Sequence, residues 1–153
     1  MRGWLLDTNV ISTFAPGKPV VAQAIAAWFR AVDDELFLST VTVAEIGAGI
    51  AKLQRAGADR RARALAEWFD TIAATYGDRL LAFDLPAAQK TGQIIDAARG
   101  HGHVPGFADA AIAGIATVND LTVLTANLRH FEPLGVRAID PFQAGAIRSG
   151  AIR

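Results

Sequence analysis

The chain contains no cysteine, and it has only three histidines and one methionine among its 153 residues. The absence of cysteine excludes disulfides and thiolate metal sites, and it favours a reducing compartment, so we expect a cytoplasmic protein. No uncharged apolar run approaches the roughly 18 residues that a membrane span requires. The apolar run in the N-terminal segment MRGWLLD is too short for a signal peptide. We therefore expect no membrane association.

Net charge is also absent, because 15 basic and 15 acidic residues cancel. This balance neither indicates nor excludes a nucleic-acid partner, since a local basic face is compatible with a neutral chain. A hydrophobic content of 52% and a charged content of 20% are typical of a globular protein with a real core. The length fits one domain.

Short apolar runs alternate with segments of helical periodicity along the whole chain. The runs predict five strands, at residues 3–6, 36–39, 80–83, 121–124 and 136–139. The periodic segments predict helices at residues 20–31, 42–55, 58–76, 86–99 and 107–118. This alternation predicts an α/β domain with a mainly parallel five-stranded sheet flanked by helices. We expect the domain to cover residues 1–142, with residues 143–153 as a flexible C-terminal tail.

Three carboxylates are predicted where strands give way to helices: Asp7 in WLLDTN, Glu45 in TVAEI and Asp109 in FADAAIAGIA. Asp109 is the only charged residue from Phe107 to Val118, in a helix that reads as buried on nearly every face. Ligands of open parallel sheets bind at the carboxyl ends of the strands, and these acids are predicted to share that edge. Asn127, three residues beyond the fourth strand, is predicted to join them.

Each of these residues also has a purely structural interpretation. Asp7 fits the N-cap of the following helix, and Thr42 and Glu45 have the spacing of a capping box. Asp109 would be favoured at the positive end of its helix dipole, and Asn127 would suit a turn. None of these interpretations explains why all four residues would gather on one edge.

Four motifs occur in the order typical of one family: LLDTNVIS, VTVAEIGAGI, FADAAIAGIA and LTVLTANLRHFEPLGVRAIDP. On these motifs the chain resembles a PIN-domain ribonuclease, and more closely the toxin half of a VapBC- or FitAB-type toxin–antitoxin pair. The resemblance covers residues 3–142. It implies a PIN-like fold, a three-layer sandwich with the sheet in the middle.

The resemblance also implies a metal-dependent site. The family's acids correspond to Asp7, Glu45 and Asp109, which would hold Mg²⁺ or Mn²⁺, while Asn127 takes a fourth position that is often acidic. With an amide there, the site holds either one ion or two. The polar support around the acids is expected from three further residues: Thr8, Asn9 and Thr125.

Basic residues near the predicted edge are candidates for contacts with substrate phosphates: Arg99, Arg129 and His130. A second basic cluster, comprising Lys52, Arg55, Arg60, Arg61 and Arg63, reads as a solvated face. His101 and His103 have a spacing compatible with zinc, but the glycine-rich segment GHGHVPG favours a solvated loop.

Two functions from different classes remain. The first is an endoribonuclease toxin that hydrolyses RNA phosphodiester bonds and is inhibited by a small cognate antitoxin. The second is a catalytically weak PIN module that acts mainly through a complex with the antitoxin and operator DNA. The three acids favour the first function, and Asn127 favours the second. The resemblance further implies a homodimer that reaches operator DNA only through the antitoxin.

Overall fold

The computed structural model describes residues 2–143 and 145–146, which form five strands and seven α-helices. The strands are β1 (Trp4–Leu6), β2 (Leu36–Ser39), β3 (Leu80–Leu81), β4 (Thr122–Leu124) and β5 (Ala138–Ile139). The helices are α1 (Thr8–Ile11), α2 (Gln23–Ala31), α3 (Thr40–Arg55), α4 (Asp59–Tyr76), α5 (Leu85–Gly100), α6 (Phe107–Val118) and α7 (Leu128–Phe131). Short 3₁₀ turns follow α1, α2, α4 and α7.

The strands form one sheet in the order β3-β2-β1-β4-β5, and all four neighbouring pairs are parallel. The predicted five-stranded parallel sheet is therefore confirmed. The register pairs Trp4 with both Leu36 and Thr122, so β1 lies at the centre. Because the strands are parallel, the residues that follow them lie at one common edge of the sheet, which we call the carboxyl edge.

Two hydrophobic clusters cover the two faces of the sheet. Trp4 and Leu6 point to one face and pack with residues of α1 to α4, while Leu5 between them points to the other face. On that other face the cluster includes Ile112 and Ile115 of α6 together with residues of α5 and α7. Because helices cover both faces, the architecture is a three-layer sandwich.

Helix α6 is as buried as its sequence indicated, since every residue from Ala110 to Ala116 is buried. Gly114 allows α5 to approach it closely. A Cβ atom at Gly114 would lie 2.9 Å from the carbonyl oxygen of Ala87 and would collide with the hydroxyl of Thr91. This close contact fixes the position of α6, which carries Asp109 in its first turn.

Several element boundaries differ from the prediction. Helix α2 begins at Gln23 rather than Val20, whose side chain is almost fully exposed, and β3 ends at Leu81 rather than Phe83. Helix α3 begins at Thr40 rather than Thr42, because the hydroxyl of Ser39 accepts a hydrogen bond from the Thr42 backbone N–H. Glu45 therefore lies in the second turn of α3 and not in the first.

Most of the predicted tail, namely residue 144 and residues 147–153, lies outside the described residues. The domain boundary after residue 142 thus stays a prediction. Within residues 2–143 and 145–146, no helix is long and apolar enough to cross a membrane.

Candidate acidic site at the carboxyl edge

Asp7 is the most buried acid of the site, with 5% of its surface exposed. It follows β1 directly and caps α1, as the structural interpretation predicted, by accepting a 2.8 Å hydrogen bond at Oδ1 from the Thr8 backbone N–H. Its other oxygen, Oδ2, accepts a 2.8 Å hydrogen bond from the hydroxyl of Thr125, which follows β4. Capping therefore explains one oxygen of Asp7, and the second oxygen is oriented by a different strand end.

Burial raises the pKa of Asp7 from an ordinary value of 3.8 to about 6. The hydrogen bonds from Thr125 and Thr8 act in the opposite direction and lower the pKa, because they stabilise the carboxylate. The negative charges of Asp109 and Glu45 raise the pKa further, which shows that both acids are close enough to interact electrostatically with Asp7. The three predicted acids therefore interact through space, but among the described residues they do not form a compact metal-binding group.

Thr8 connects Glu45 to the centre of the site. Its hydroxyl donates a 2.7 Å hydrogen bond to Oε1 of Glu45 and lies 3.0 Å from the hydroxyl of Thr42. A hydroxyl carries one hydrogen, so Thr42 is the donor in the second contact. The capping-box interpretation of Thr42 and Glu45 is wrong, because Ser39 caps α3 and the Glu45 side chain extends to α1 instead.

Asp109 lies in the first turn of α6, and 28% of its side chain is exposed. Its Oδ2 atom lies 3.2 Å from Nδ1 of His130 in α7. His130 is thus the one predicted substrate contact that the structure places against an acid. Arg99 and Arg129 are exposed, and within the described ranges neither forms an ion pair with an acid.

Asn127 lies at the same edge, but its exposed side chain does not cap α7. Its backbone N–H donates a 3.0 Å hydrogen bond to the Thr125 hydroxyl, which lets that hydroxyl point its hydrogen at Asp7. Asn9 supports the same loop, because its Oδ1 atom accepts a 3.1 Å hydrogen bond from the backbone of Ala126. Asn9 and Asn127 therefore position Thr125 rather than Asp7 itself.

The oxygen atoms at this edge are hard ligands of the kind that Mg²⁺ and Mn²⁺ prefer. Asp7 and Asp109 repel each other, and no lysine or arginine of the described chain pairs with either one. Still, the described residues contain no group of three or more acid or histidine side chains compact enough to enclose a metal ion unaided. The ligand chemistry at this edge therefore suits a divalent cation, whereas the spacing of the described side chains does not form a complete binding group.

Sequence reasoning missed the buried Thr42 as part of this network and assigned it to a cap instead. The available signal was its position one turn before Glu45 on a helix that starts at the carboxyl edge. His101, exposed, and His103, half-buried, lie in the loop between α5 and α6 and form no ion pair among the described residues. The basic cluster of α3 and α4 is exposed, as predicted.

A family model for the PIN domain matches residues 4–134. The chain is 35% identical over 142 residues to the plasmid stability protein StbB of Pseudomonas syringae pv. tomato, covering 92% of this chain and 99% of StbB. It is 34% identical to the toxin FitB of Neisseria gonorrhoeae over 90% of this chain and 97% of FitB. It is also 34% identical to the VapC ribonuclease Y4jK of Sinorhizobium fredii over 91% of this chain and 97% of that protein.

Solved structures show the same similarity. The crystal structure of FitAcB from Neisseria gonorrhoeae aligns with a TM-score of 0.79 and 33% identity, covering 92% of this chain and 99% of that one. The crystal structure of DNA-bound VapBC from Salmonella typhimurium aligns with a TM-score of 0.72 and 30% identity, again covering 92% and 99%. Both similarities extend over the sheet and the helices that bear the acids.

Proposed function

This chain belongs to the PIN-domain family, in the group of FitB- and VapC-type toxins, and from that premise we propose that it is a metal-dependent endoribonuclease. One observation carries the proposal. Asp7 is buried, the charges of two further carboxylates raise its pKa, and no lysine or arginine of the described chain pairs with Asp7 or Asp109. A protein rarely leaves such repulsion in place unless a bound cation compensates it.

Each acid has a separate task in the proposed reaction. Asp7 and Asp109 would be the principal ligands of Mg²⁺ or Mn²⁺, since Asp7 is buried and Asp109 is partly buried at the edge, whereas Glu45 is exposed. Glu45 is exposed and held by Thr8, so it would bind the ion through water or orient the attacking water. When bound, the ion supplies a lowered water pKa and charge stabilisation at the phosphoryl oxygens.

The hydrogen bonds around Asp7 matter for this task because a metal ligand must be deprotonated. Thr125 and the backbone of Thr8 keep the pKa of Asp7 at about 6 instead of a higher value, so the carboxylate is charged at neutral pH. Asn127 adds no charge, and one divalent ion is therefore the expected occupancy. His130 would face the substrate after a metal ion engages Asp109.

Cleavage of structured RNA by purified protein tests the proposal. We expect wild type to cleave tRNA in Mn²⁺ or Mg²⁺ and to lose that activity in EDTA. Asp109→Asn should abolish it, whereas Asp120→Asn, the same chemical change in an exposed turn away from the acids, should not. The endoribonuclease proposal fails if Asp109→Asn cleaves as well as wild type or if EDTA has no effect.

We also propose that an antitoxin inhibits the protein, that the protein forms a homodimer, and that it reaches operator DNA only within the antitoxin complex. The solved complexes FitAcB and DNA-bound VapBC support the antitoxin and DNA parts of this proposal. A segment inserted at the carboxyl edge would compensate the acids with an arginine or lysine. Co-expression with a small neighbouring gene product, followed by RNA cleavage and DNA binding by the purified complex, tests these points.

A second candidate, a catalytically weak PIN module, is favoured by Asn127 and by the exposed position of Glu45. In that case the complex with antitoxin and DNA would be the active species. Asn127→Asp separates the two candidates. If the chain is an enzyme limited by its missing fourth acid, this variant should cleave faster than wild type, and a weak module should stay inert.

A further inference from the structure

Phe107 is a large aromatic residue that leaves 65% of its surface exposed at the start of α6. Its ring meets the half-buried ring of Phe83, with centroids 6.0 Å apart and planes at 81°. Single exposed hydrophobic residues are common and indicate nothing by themselves. The location of this ring at the carboxyl edge is what distinguishes it.

Phe107 and Asp109 occupy the same first turn of α6, within one helical pitch of about 5.4 Å. Residues two positions apart on a helix project to nearly opposite sides. Asp109 accordingly reaches His130, which follows β4, while Phe107 reaches Phe83, which follows β3. The ring therefore lies on the β3 side of the helical turn that carries Asp109.

A hydrogen bond connects the ring pair to α3, the helix that carries one of the acids. The backbone N–H of Phe83 donates a 3.0 Å hydrogen bond to the hydroxyl of Thr40, the first residue of α3. The same helix carries Glu45, whose carboxylate binds Thr8 next to Asp7. Phe83 thus holds Phe107 at a fixed position relative to the carboxylates.

We propose that Phe107, supported by Phe83, stacks on an unpaired nucleobase of the RNA close to the phosphate that is cleaved. This inference rests on the proposed ribonuclease function and extends it to a base-binding subsite. The acids repel the RNA backbone, so binding energy has to come from the bound cation and from groups beside the site. An aromatic ring provides such energy for any base, because every base has a π-face.

A second copy of the chain is the competing occupant of this surface. Stable interfaces bury roughly 800 Å² per partner, whereas one aromatic ring contributes about 150–250 Å². Val104 in the preceding loop and Leu85 at the start of α5 are also exposed, and each adds only one aliphatic side chain. The surface has the size of a base subsite and falls well short of a dimer interface.

Abasic scanning tests the proposal. A single-stranded RNA oligonucleotide carries an abasic nucleotide at each position in turn, and its affinity is measured by fluorescence anisotropy for Asp7→Asn protein, in which cleavage is expected to be lost. We expect Phe107→Ala to weaken binding of the intact RNA on the order of 10-fold. Phe107→Trp should retain the affinity and Phe107→Leu should not, because stacking requires a ring.

In the protein that retains Phe107, an abasic nucleotide at one position should reduce RNA affinity on the order of 10-fold. In Phe107→Ala the same abasic nucleotide should cause no further loss of affinity. Val118→Ala, at the opposite end of α6, is the matched control and should leave affinity unchanged. Equal abasic penalties in both proteins would overturn the stacking proposal. So would a change of oligomeric state in sedimentation with RNA affinity preserved, which would assign the ring to a second copy.

Failure of this inference is distinguishable from failure of the proposed function. Suppose that wild type cleaves RNA in Mn²⁺, but the abasic nucleotide reduces RNA affinity equally with and without the Phe107 ring. In that case only the proposed base subsite is refuted. If wild type cleaves no RNA, the ribonuclease function is lost, and the scan still reports whether Phe107 binds a base.

Discussion

The acids at the two edges of the sheet differ in whether they pair with basic side chains. At the amino edge, Asp120 before β4 pairs with Arg137 before β5. At the same edge Arg79 donates hydrogen bonds to the backbone carbonyls of Asp33 and Leu36. At the carboxyl edge, Asp7 and Asp109 share their surroundings without an arginine or lysine partner in the described chain.

This contrast shows that a shortage of cations does not explain the unpaired acids. The chain has as many basic as acidic residues, and it places arginines at the amino edge and on the exposed faces of α3 and α4. The carboxyl edge stays negative at a real cost, since burial and mutual repulsion raise the pKa of Asp7 to about 6. Such a cost is typical of functional sites, where stability is lower than the fold alone would permit.

Removing a charge from the carboxyl edge should have the largest effect on activity. We expect Asp7→Asn to reduce RNA cleavage by roughly 10³-fold, comparable to the loss of other preorganised charge-stabilising groups. Asp120→Asn makes the same change at the amino edge and should stay within about twofold of wild type. Initial rates with tRNA in Mn²⁺ measure both, and equal losses in the two variants would remove the functional distinction between the edges.

Asp7→Asn should also stabilise the metal-free protein. A carboxyl group whose pKa is raised by folding holds its proton more tightly in the folded state, so the folded state loses stability as pH rises from 3.8 to about 6. At pH 7 in EDTA, Asp7→Asn should therefore be more stable than wild type by up to about 3 kcal/mol.

Urea unfolding at several pH values measures this difference. The gap between Asp7→Asn and wild type should narrow as the pH falls below about 6 and should close well below 3.8, where the wild-type carboxyl is protonated in both states. Added Mn²⁺ should stabilise wild type and leave the variant unchanged. A gap that is independent of pH would show that packing, and not the buried charge, distinguishes the two proteins.

Thr125 allows a smaller and more specific change at the carboxyl edge. Thr125→Val keeps the shape of this buried side chain but removes the hydrogen bond to Oδ2 of Asp7, so the pKa of Asp7 should rise further. We expect cleavage and Mn²⁺ affinity to fall by roughly 10- to 100-fold, as for other groups that orient metal ligands. Thr125→Ser keeps the hydroxyl and should restore both, and the positioning role is excluded if serine fails where valine fails.

The ion pair of the amino edge should matter least. Both partners of the Arg137–Asp120 pair are largely exposed, at 63% and 68% of their side chains. Arg137→Ala should reduce the free energy of unfolding by less than about 1 kcal/mol and leave RNA cleavage unchanged. A loss of cleavage in this variant would contradict the assignment of activity to the carboxyl edge alone.

Much of the fold followed from local patterns, since each strand is a short apolar run bounded by helical periodicity. The errors came where a boundary depends on contacts beyond the pattern. Thr42 and Glu45 match a capping box in sequence, but Ser39 has the extended backbone that a cap requires and takes that role. Phe83 continues the apolar run of β3, yet it leaves the sheet to meet the ring of Phe107.

The sequence allowed the acids of the candidate site to be predicted, but not the hydrogen bonds that connect them to neighbouring residues. Asp7, Glu45 and Asp109 stand out because each acid adjoins an apolar segment at the end of a strand or the start of a helix. Their partners could not be recognised in the same way. Threonine and asparagine are ordinary near helix ends, so nothing local marks Thr8 as a bridge or Thr125 as a donor.

The parallel α/β architecture and the edge at which the acids lie follow from hydrophobic periodicity and residue order, because these are local properties of the chain. Three other relations required the folded structure: Thr125 orients Asp7 across 118 positions, Thr8 holds Glu45 across 37, and Phe107 contacts Phe83 in the helical turn that carries Asp109. Those contacts depend on strand order and helix packing, which bring distant residues within hydrogen-bond distance. The physical reason is that charge and hydrogen bonding act through space, whereas periodicity is a property of the chain.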